Sequence, residues 1–474
     1  MLEFIDQIAS SPAVQHIASV VTTILTPVNN VVWGPAMLVL LLGTGLFLTF
    51  GLRFMTWRDI PRGFKLLWRG RAKLDHLEGE LSPFNALMTA LAATVGVGNI
   101  VGVATAILIG GPGALFWMWC TAMVGMATKF AETVLAVHYR EVTPAGNVVG
   151  GPMYFIKNGL GKNWLWLGTL FAVFGGLAGF GIGNMTQANA ISGALAKFGV
   201  SPWLTAGILF VLIGVVLVGG VQRIGAVSGK LVPFMAVFYI ITALIIIVVH
   251  IDRVPEIFML VIREAFTPSA AQGGFAGASV WLAIRYGVAR GVFSNEAGLG
   301  SAAIAQATAT VDNPVTMGLI GMLGTFIDTI IVCSMTGFAI LVTGVWTAPG
   351  ADGATLTSVA FATGLPAFLQ GWGDALVTIA LALFAFSTIL GWCVYSERCW
   401  VFLLGDKALK PFRLIFTIVV PIGAVSHLDT VWLGADTLNA PMAIPNLIGL
   451  LLLSPILFKL VKEYNATHKG EERL

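Results

Sequence analysis

The stretch from Thr94 to Asn99 places two glycines and an amide side chain inside an apolar run, residues 84–109, long enough to cross a bilayer. Gly96 and Gly98 each weaken a helix by about 1 kcal/mol relative to alanine. A helix broken at this depth is tolerated only where it lines a cavity or is buried in protein. The sequence therefore predicts a binding site at this first break. The alternative is close helix packing by small residues of the GxxxG type.

The free peptide ends of such a break favour a small ligand that carries both charges. We expect the N–H groups of Val97, Gly98 and Asn99 to hold a carboxylate, because a helix N-terminus carries partial positive charge. We expect the carbonyl groups of Ala92 and Val95 to face a small cation. No ionised side chain is then needed at the bilayer centre, where a charge costs several kcal/mol.

A second interruption, rich in glycine and polar residues, runs from Gly291 to Ser301. Carbonyl groups near Phe293 and Ser294 are predicted to receive the ammonium group of the same ligand. Glu296 lies beside this second break, and its side chain is expected to hydrogen-bond the unpaired amides there. The two breaks together predict a site for a zwitterionic amino acid.

Polar residues in two other apolar runs extend this site. Ser387 and Thr388 supply adjacent hydroxyls for a cation, and the alternative is a bond from each hydroxyl to its own helix. Trp392 follows one turn later and either caps the pocket, limiting the substrate side chain, or packs between helices. Gln187 is preferred to Asn184 as a substrate contact, although either amide can instead cross-link helices.

Charged side chains inside apolar runs are candidates for function. Arg285 and Arg290 precede the second break and could form part of an outer gate, but a structural ion pair at the membrane interface is preferred. Glu132, Asp328 and Asp374 are further candidates, without an assigned role.

The composition indicates the environment that these residues share. Of 474 residues, 57% are hydrophobic and 10% charged, with a mean hydropathy of +0.89. A soluble chain carries about 25% charged residues, so the protein is expected to be polytopic and embedded in a lipid bilayer. A net charge of +3 does not suggest a nucleic-acid partner. The four cysteines lack metal-ligand spacing. A cleavable signal peptide is not expected, because residues 1–30 contain no lysine or arginine.

Eleven membrane spans are predicted, at residues 31–52, 84–109, 114–139, 164–197, 203–221, 231–250, 275–310, 314–346, 372–404, 414–425 and 431–460. A weakly amphipathic segment, residues 1–28, is expected to lie at the interface before them. The loop after the first span is strongly basic and is therefore assigned to the cytoplasm, which places the N-terminus outside and the C-terminus inside. Arg223 and Lys230 are assigned to the cytoplasmic side, and residues 347–370 to an outer loop.

Spans two to six and seven to eleven form two groups of five, and each group begins with a broken helix. Because five is odd, the second group enters from the opposite face, which is an inverted repeat. The predicted divisions are residues 1–82, with the first span and the basic loop, residues 83–250, the first repeat, and residues 251–474, the second repeat and tail. Paired broken helices are typical of secondary transporters.

Three segments are similar to one known family. The run GGPGALFWMWCTAMVG at 110–125 resembles the signature of the alanine or glycine:cation symporter family, except at Cys120, where an aliphatic residue is usual. The runs SNEAGLGS at 294–301 and STILGW at 387–392 are also similar to that family. The resemblance covers nearly the whole chain. It implies an all-α membrane protein with the LeuT-type fold, a five-plus-five inverted repeat preceded by one extra helix.

The resemblance also implies a function and a set of ligands. It implies sodium-coupled symport of alanine and glycine into the cell, across the cell (inner) membrane, by alternating access. The family pattern places the substrate carboxylate on the amides of Val97, Gly98 and Asn99. It places sodium on carbonyl and hydroxyl groups, which here correspond to Ala92, Val95, Ser387 and Thr388.

Other classes of protein remain for comparison. An intramembrane enzyme is not expected, because the chain has no HExxH or GxSxG motif and its six histidines are scattered. A cation-coupled transporter of another small zwitterion and a passive channel are the alternatives. The residues do not decide whether sodium or protons drive transport, and they do not determine the oligomeric state.

Overall fold

The computed structural model describes residues 22–467, with gaps at 24, 30, 73–76, 268–275, 349–352, 354, 427–432, 435–436 and 438. Most of the predicted interfacial segment, residues 1–21, lies outside the described residues, as does the end of the charged tail, residues 468–474. The side chains of residues 276–279 are likewise not described.

The described chain is almost entirely helical. Its helices of six residues or more are α1 Pro35–Gly51, α2 Ile60–Arg69, α3 Pro83–Thr94, α4 Val103–Gly110, α5 Gly113–His138, α6 Leu165–Phe180, α7 Thr186–Ala196, α8 Pro202–Val218, α9 Gly220–Val249, α10 Val254–Glu264, α11 Ala276–Asn295, α12 Ser301–Gln306, α13 Pro314–Gly321, α14 Ser334–Thr343, α15 Leu356–Gly364, α16 Gly373–Leu404, α17 Leu409–Val425 and α18 Ala443–Thr467.

Other elements, among them the eight-residue π-helical segment Phe326–Cys333, join these α-helices. The π-helical segments are Gly98–Gly102, Ile156–Leu160, Gly181–Met185 and Phe326–Cys333, and the short α-turns are Met55–Arg58, Pro152–Phe155 and Leu323–Thr325. The 3-10 turns are Lys162–Trp164, Ile251–Arg253, Val345–Thr347, Gln370–Trp372, Asp406–Ala408 and Ala440–Met442. Strands β1 (Glu141–Val142) and β2 (Val148–Val149) pair antiparallel, with Glu141 opposite Val149.

Length and hydropathy identify the membrane-spanning part. Within the described residues, seven helical stretches can cross a membrane, or eight if α3 and α4, which are bent by 53° at a short break, count as one. Helices α1 and α8 are shorter but apolar. The chain is therefore an all-helical, multi-pass membrane protein, as the composition predicts.

Helices also occupy regions predicted to lie outside the spans. Helix α9 begins at Gly220, earlier than the sixth span predicted from residue 231, so Arg223 and Lys230 lie on this helix. The long Arg223 side chain extends back toward α8 and donates a hydrogen bond to the carbonyl oxygen of Val215 at 2.8 Å. The guanidinium therefore has a backbone acceptor near the start of α9. The predicted outer loop 347–370 contains α15, and α10 follows α9.

The packing places the two breaks in the interior of the bundle. Helices α5 and α16 are the most enclosed of the candidate spans. Helix α11 packs along α5, and α16 packs against both α3 and α6. Since α3 and α11 each end at a break, α5 and α16 supply the side chains that surround these breaks.

Candidate functional site

The first break lies where it is predicted. Helix α3 ends at Thr94, Val95 is extended (φ −76°, ψ 93°), and the π-helical segment begins at Gly98. The Gly96 N–H donates to Asn99 Oδ1 at 2.8 Å, and the Asn99 N–H donates to the Gly96 carbonyl at 3.2 Å. Both bonds hold the chain in a tight turn, and the binding of a carboxylate by the Asn99 N–H remains a prediction. The N–H groups of Val97 and Gly98 take no part in these bonds.

The four predicted cation ligands meet beside this break. Ser387 Oγ lies 3.2 Å from the carbonyl oxygen of Ala92, and Thr388 Oγ1 lies 3.5 Å from that of Val95. Both hydroxyls also donate to the Phe384 carbonyl of their own helix, at 2.8 and 3.0 Å. Each hydroxyl thus lies between a carbonyl beside the first break and the Phe384 carbonyl of its own helix, so both predicted arrangements are present.

Gly96 has no room for a side chain. A Cβ added there would lie 2.6 Å from Thr388 Oγ1 and 3.6 Å from Gln187 Oε1. Gln187 Nε2 donates to the Ile182 carbonyl at 3.0 Å, while its Oε1 is buried and has no hydrogen-bond partner among the described residues. A buried amide oxygen without a donor is costly, so Gln187 presents an unused acceptor to the break.

The other two polar or aromatic candidates lie between helices. Asn184 Nδ2 donates to the carbonyl of Phe416 in α17 at 2.7 Å, so this amide cross-links two helices. Trp392 is 2% exposed and packs on Gly183, where an added Cβ would lie 2.2 Å from the Trp392 Cβ atom. The location of Trp392 is that of an aromatic between helices, and a role in limiting the substrate remains a prediction.

The second break begins later than predicted. Gly291 to Asn295 belong to helix α11, and the break covers only residues 296–300. Glu296, Gly298 and Gly300 have positive φ angles of 55°, 94° and 78°. A left-handed conformation is unusual for glutamate, and such strain is concentrated at functional sites.

Glu132 of α5, and not Glu296, binds the free amides at this break. Glu132 Oε1 accepts hydrogen bonds from the N–H groups of Gly298 at 2.9 Å and Gly300 at 3.1 Å, and from Asn446 Nδ2 at 2.7 Å. The carboxylate of Glu296 accepts a hydrogen bond from Ser301 Oγ at 2.6 Å instead. The prediction for Glu296 is wrong because the left-handed turns direct the free amides toward α5.

A buried cation completes this arrangement. Lys129 Nζ donates to the backbone carbonyl of Glu296 at 2.9 Å and lies 3.8 Å from Glu132 Oε2. Both side chains of this ion pair are essentially inaccessible to solvent. From the sequence, Glu132 is identified only as a charged residue in a span. Lys129 lies three residues earlier on the same helix face, and this spacing could have identified it as the ion-pair partner of Glu132.

Asp328, in the π-helical segment between α13 and α14, contacts both broken helices. Its Oδ1 accepts from Asn99 Nδ2 at 2.7 Å, and its Oδ2 accepts from Ser294 Oγ and Thr329 Oγ1, each at 2.8 Å. Asp328 is fully buried. The hydroxyl of Ser294, a predicted substrate contact, is therefore used within the protein. Sequence reasoning names Asp328 but does not identify these partners.

A cavity of about 500 Å³ leads from the first break to one end of the bundle. Its wall runs from Val97 and Gly102 to Ile109 at the end of α4 and Lys197 at the end of α7. Val97 is the one predicted substrate-binding residue on this wall within the described chain. Arg290 also lines the cavity, and its guanidinium lies 5.3 Å from the Phe293 ring centroid.

At the opposite end, where α3 begins, ion pairs and hydrogen bonds join neighbouring segments of the chain. Arg398 Nη2 lies 2.6 Å from Glu80 Oε1, and Arg398 is 1% exposed. Arg140 donates to the carbonyls of Ala309 and Glu78, each at 2.7 Å. Burial lowers the pKa of the Arg140 guanidinium, and the Glu78 carboxylate partly opposes this. We call this the basic end of the bundle.

Two broken helices that face each other beside a cavity, inside a bundle of apolar helices, are the architecture of a membrane transporter. The fold is similar to that of MhsT in its crystal structure with L-phenylalanine, with a TM-score of 0.57 over 79% of this chain and 89% of that chain. The sequence identity is 13%, so this similarity shows the fold alone, which is of the LeuT type.

Sequence comparison gives the family. Residues 18–473 match the sodium:alanine symporter family, and the chain belongs to it. The sodium/alanine symporter AgcS of Methanococcus maripaludis is 49% identical over 457 residues, which cover 95% of this chain and 99% of that protein. An uncharacterized transporter of Haemophilus influenzae is 49% identical over 446 residues, 94% of this chain and 96% of that protein. The predicted family is confirmed, and the protein is a transporter and not an enzyme.

Proposed function

We propose that the protein couples the uptake of alanine and glycine to the inward movement of sodium at the first break. The observation that carries this proposal is the contact between two hydroxyls and two carbonyls beside this break. Ser387 Oγ lies 3.2 Å from the Ala92 carbonyl oxygen, and Thr388 Oγ1 lies 3.5 Å from that of Val95. Uncharged oxygen atoms of this kind suit a small, hard cation. Sodium gains ligands here without any buried carboxylate in direct contact.

The substrate binds next to this cation. Its carboxylate accepts hydrogen bonds from the N–H groups of Val97 and Gly98. The Asn99 side chain stabilises the turn by accepting a hydrogen bond from the Gly96 N–H. The substrate ammonium group donates to carbonyl groups near Phe293 at the end of α11 and to the unused Oε1 of Gln187. Both charged ends of the amino acid are then paired.

The site favours a small side chain. A Cβ added at Gly98 would lie 3.1 Å from the ring of Phe293, so this ring closely covers the second half of the break. The backbone of Ser294 lies beside the Phe293 ring at this wall of the substrate site. Trp392 of α16 limits the volume that is left for the substrate side chain. Alanine and glycine fit this description, and the 49% identical relative from Methanococcus maripaludis is a sodium/alanine symporter.

The proposed topology has eleven spans, with the N-terminus outside and the C-terminus in the cytoplasm. Residues 83–250 and 251–474 form two inverted repeats of five spans, and residues 1–82 hold the extra first span. The supporting observations are the two breaks and the basic residues near α2 and α17. In this orientation the open cavity faces outside, and the basic end is the closed cytoplasmic gate of an alternating-access cycle.

The coupling is energetically sufficient. One sodium ion that enters down a membrane potential of about 100 mV, negative inside, contributes about 2.3 kcal/mol, and its concentration gradient adds to this. About 1.4 kcal/mol corresponds to a tenfold concentration ratio of a neutral zwitterion. A single ion can therefore support substantial accumulation of the amino acid.

The test uses the purified full-length protein in liposomes. Labelled alanine is expected to accumulate above its external concentration with an inward sodium gradient, and not when sodium is equal on both sides. A proton gradient without sodium is the parallel measurement, because it separates the two coupling ions. Equal uptake with and without the sodium gradient, or uptake that does not saturate, would exclude coupled symport and indicate a passive channel.

A further inference from the structure

Helix α2 presents two different sides. Gly63 and Leu67 are buried, and a Cβ added at Gly63 would lie 2.7 Å from the carbonyl oxygen of Leu319, so the α2 backbone packs directly on α13. The other side is exposed and is formed by four side chains, which we call the basic aromatic face: Phe64, Lys65, Trp68 and Arg69. Phe64 is 38% and Trp68 67% exposed, although both are large and apolar.

The charge around this face is strongly one-sided. Residues 53–72 include six lysines and arginines but a single acidic residue, Asp59. The Asp59 carboxylate is engaged by Arg58 at 2.9 Å. Lys65 and Arg69 form no ion pair with any residue that the structure describes. The basic aromatic face therefore exposes two cations that have no acidic partner among the described residues. It also exposes the rings of Phe64 and Trp68, which are contacted by the Phe326 ring at 6.1 Å and by the Arg71 guanidinium at 3.3 Å, respectively.

We propose that the basic aromatic face binds the headgroup layer of anionic phospholipids. Tryptophan prefers the boundary between lipid headgroups and acyl chains, and nearby lysine and arginine are attracted to anionic lipids. Helix α2 directly follows the apolar helix α1 and precedes α3, so it is held at the membrane surface. An acidic protein would match the two cations, but the membrane also receives the exposed rings.

This contact is connected to the first broken helix. The Gly70 carbonyl at the end of α2 accepts from the Phe84 N–H in the first turn of α3 at 2.9 Å. The Arg71 guanidinium lies 3.3 Å from the Trp68 ring centroid and 5.6 Å from that of Phe84. Lipid bound at the basic aromatic face is thus in mechanical contact with the half-helix that ends at the proposed cation site. Anionic lipid is therefore expected to accelerate transport.

Lipid binding is measured first and without transport. In detergent, the full-length protein is titrated with phosphatidylglycerol and with phosphatidylcholine, and bound lipid is counted by native mass spectrometry. The wild type is expected to prefer phosphatidylglycerol. In the double variant Lys65→Gln, Arg69→Gln this preference falls by about tenfold, because two surface cations are lost.

A matched control removes the same charge nearby. Lys459 and Lys462 are exposed on α18, whose Tyr464 hydroxyl accepts from Arg62 Nη2 of α2 at 3.3 Å. The variant Lys459→Gln, Lys462→Gln should keep the preference for phosphatidylglycerol. An equal loss in both variants, or a wild type without preference, would overturn the proposal. If soluble polyglutamate binds the protein and prevents it from binding phosphatidylglycerol in vesicles, the result would indicate an acidic protein partner instead.

The effect on transport rests on the proposed function and is a separate measurement. Sodium-driven alanine uptake is compared in phosphatidylcholine vesicles with and without phosphatidylglycerol. The wild type should be faster with phosphatidylglycerol, and the Lys65, Arg69 double variant should show one rate in both. If neither protein transports alanine in any vesicle, the proposed function fails while the lipid-binding result stands. If both respond equally to phosphatidylglycerol, the coupling to α3 is excluded.

Discussion

Asn99 and Asp328 are joined by a 2.7 Å hydrogen bond that links the two broken helices through a third helix. The same Asn99 side chain accepts from the Gly96 N–H at 2.8 Å, so it holds the turn of the first break. Asp328 also accepts from Ser294, next to the second break, at 2.8 Å. One buried carboxylate therefore bridges the two breaks.

Replacing this carboxylate by an amide should uncouple the breaks. In Asp328→Asn, the new NH₂ group meets the hydroxyl donors of Ser294 and Thr329, so charge-assisted bonds worth about 1.5–3 kcal/mol each are weakened. The maximal rate of sodium-driven alanine uptake is expected to fall at least tenfold. Uptake by reconstituted protein measures this. Asp374→Asn, at an exposed acid of α16, is the control, and an unchanged Asp328→Asn rate would exclude the link.

A methyl group at Gly96 should disturb the cation ligands directly. The added Cβ would lie 2.6 Å from Thr388 Oγ1, so Thr388 must rotate away from the Val95 carbonyl. Gly96→Ala is expected to abolish sodium-dependent uptake while the protein remains folded. The control is Gly193→Ala, at a glycine of α7 on the cavity wall with nothing within 4 Å. Equal uptake by the two variants would contradict the geometry.

Loss of the two hydroxyls should act on the ion more than on the substrate. In the double variant Ser387→Ala, Thr388→Ala, half of the four oxygen ligands disappear, and the sodium concentration for half-maximal uptake is expected to rise about tenfold or more, about 1.4 kcal/mol. Thr388→Ser keeps a hydroxyl and should retain sodium dependence. Thr378→Ala, on the cavity wall, is the control. A rise in alanine KM alone would show that these hydroxyls bind substrate and not the ion.

Glu132 should matter for stability as well as for activity. Glu132→Gln removes the charged acceptor of the Gly298 and Gly300 amides and leaves Lys129 buried beside a neutral group. Losses of about 3–5 kcal/mol are typical when one member of a buried ion pair is removed. Thermal unfolding of the protein in detergent is expected at clearly lower temperature.

The matched comparison separates charge burial from local structure. The double variant Lys129→Met, Glu132→Gln removes both members of this ion pair and should recover part of the lost thermal stability, since neither of the two is left as a buried charge without the other. Glu463→Gln removes an exposed carboxylate of α18 and should be neutral. If Glu132→Gln unfolds at the wild-type temperature, Glu132 does not stabilise the second break.

The composition and the glycine-rich interruptions were sufficient to predict an all-helical transporter with a break near Gly96. These are local properties, because the bilayer requires long apolar helices, and a pair of glycines inside such a helix weakens it wherever the chain folds. The contact of two hydroxyls with the first break could also be predicted, since Ser387 and Thr388 are polar in an otherwise apolar stretch of α16.

Only the tertiary structure decided which groups satisfy the breaks. Glu132 and Glu296 are both acids in apolar surroundings, and nothing in their spacing shows which one the amides of Gly298 and Gly300 will face. The answer depends on the positive φ angles of the turn and on the packing of α5 against α11. Likewise, Asp328 meets Asn99 only because helices 229 residues apart in sequence come into contact. Periodicity and composition report the environment of a residue, whereas hydrogen-bond partners across helices depend on the relative positions of those helices.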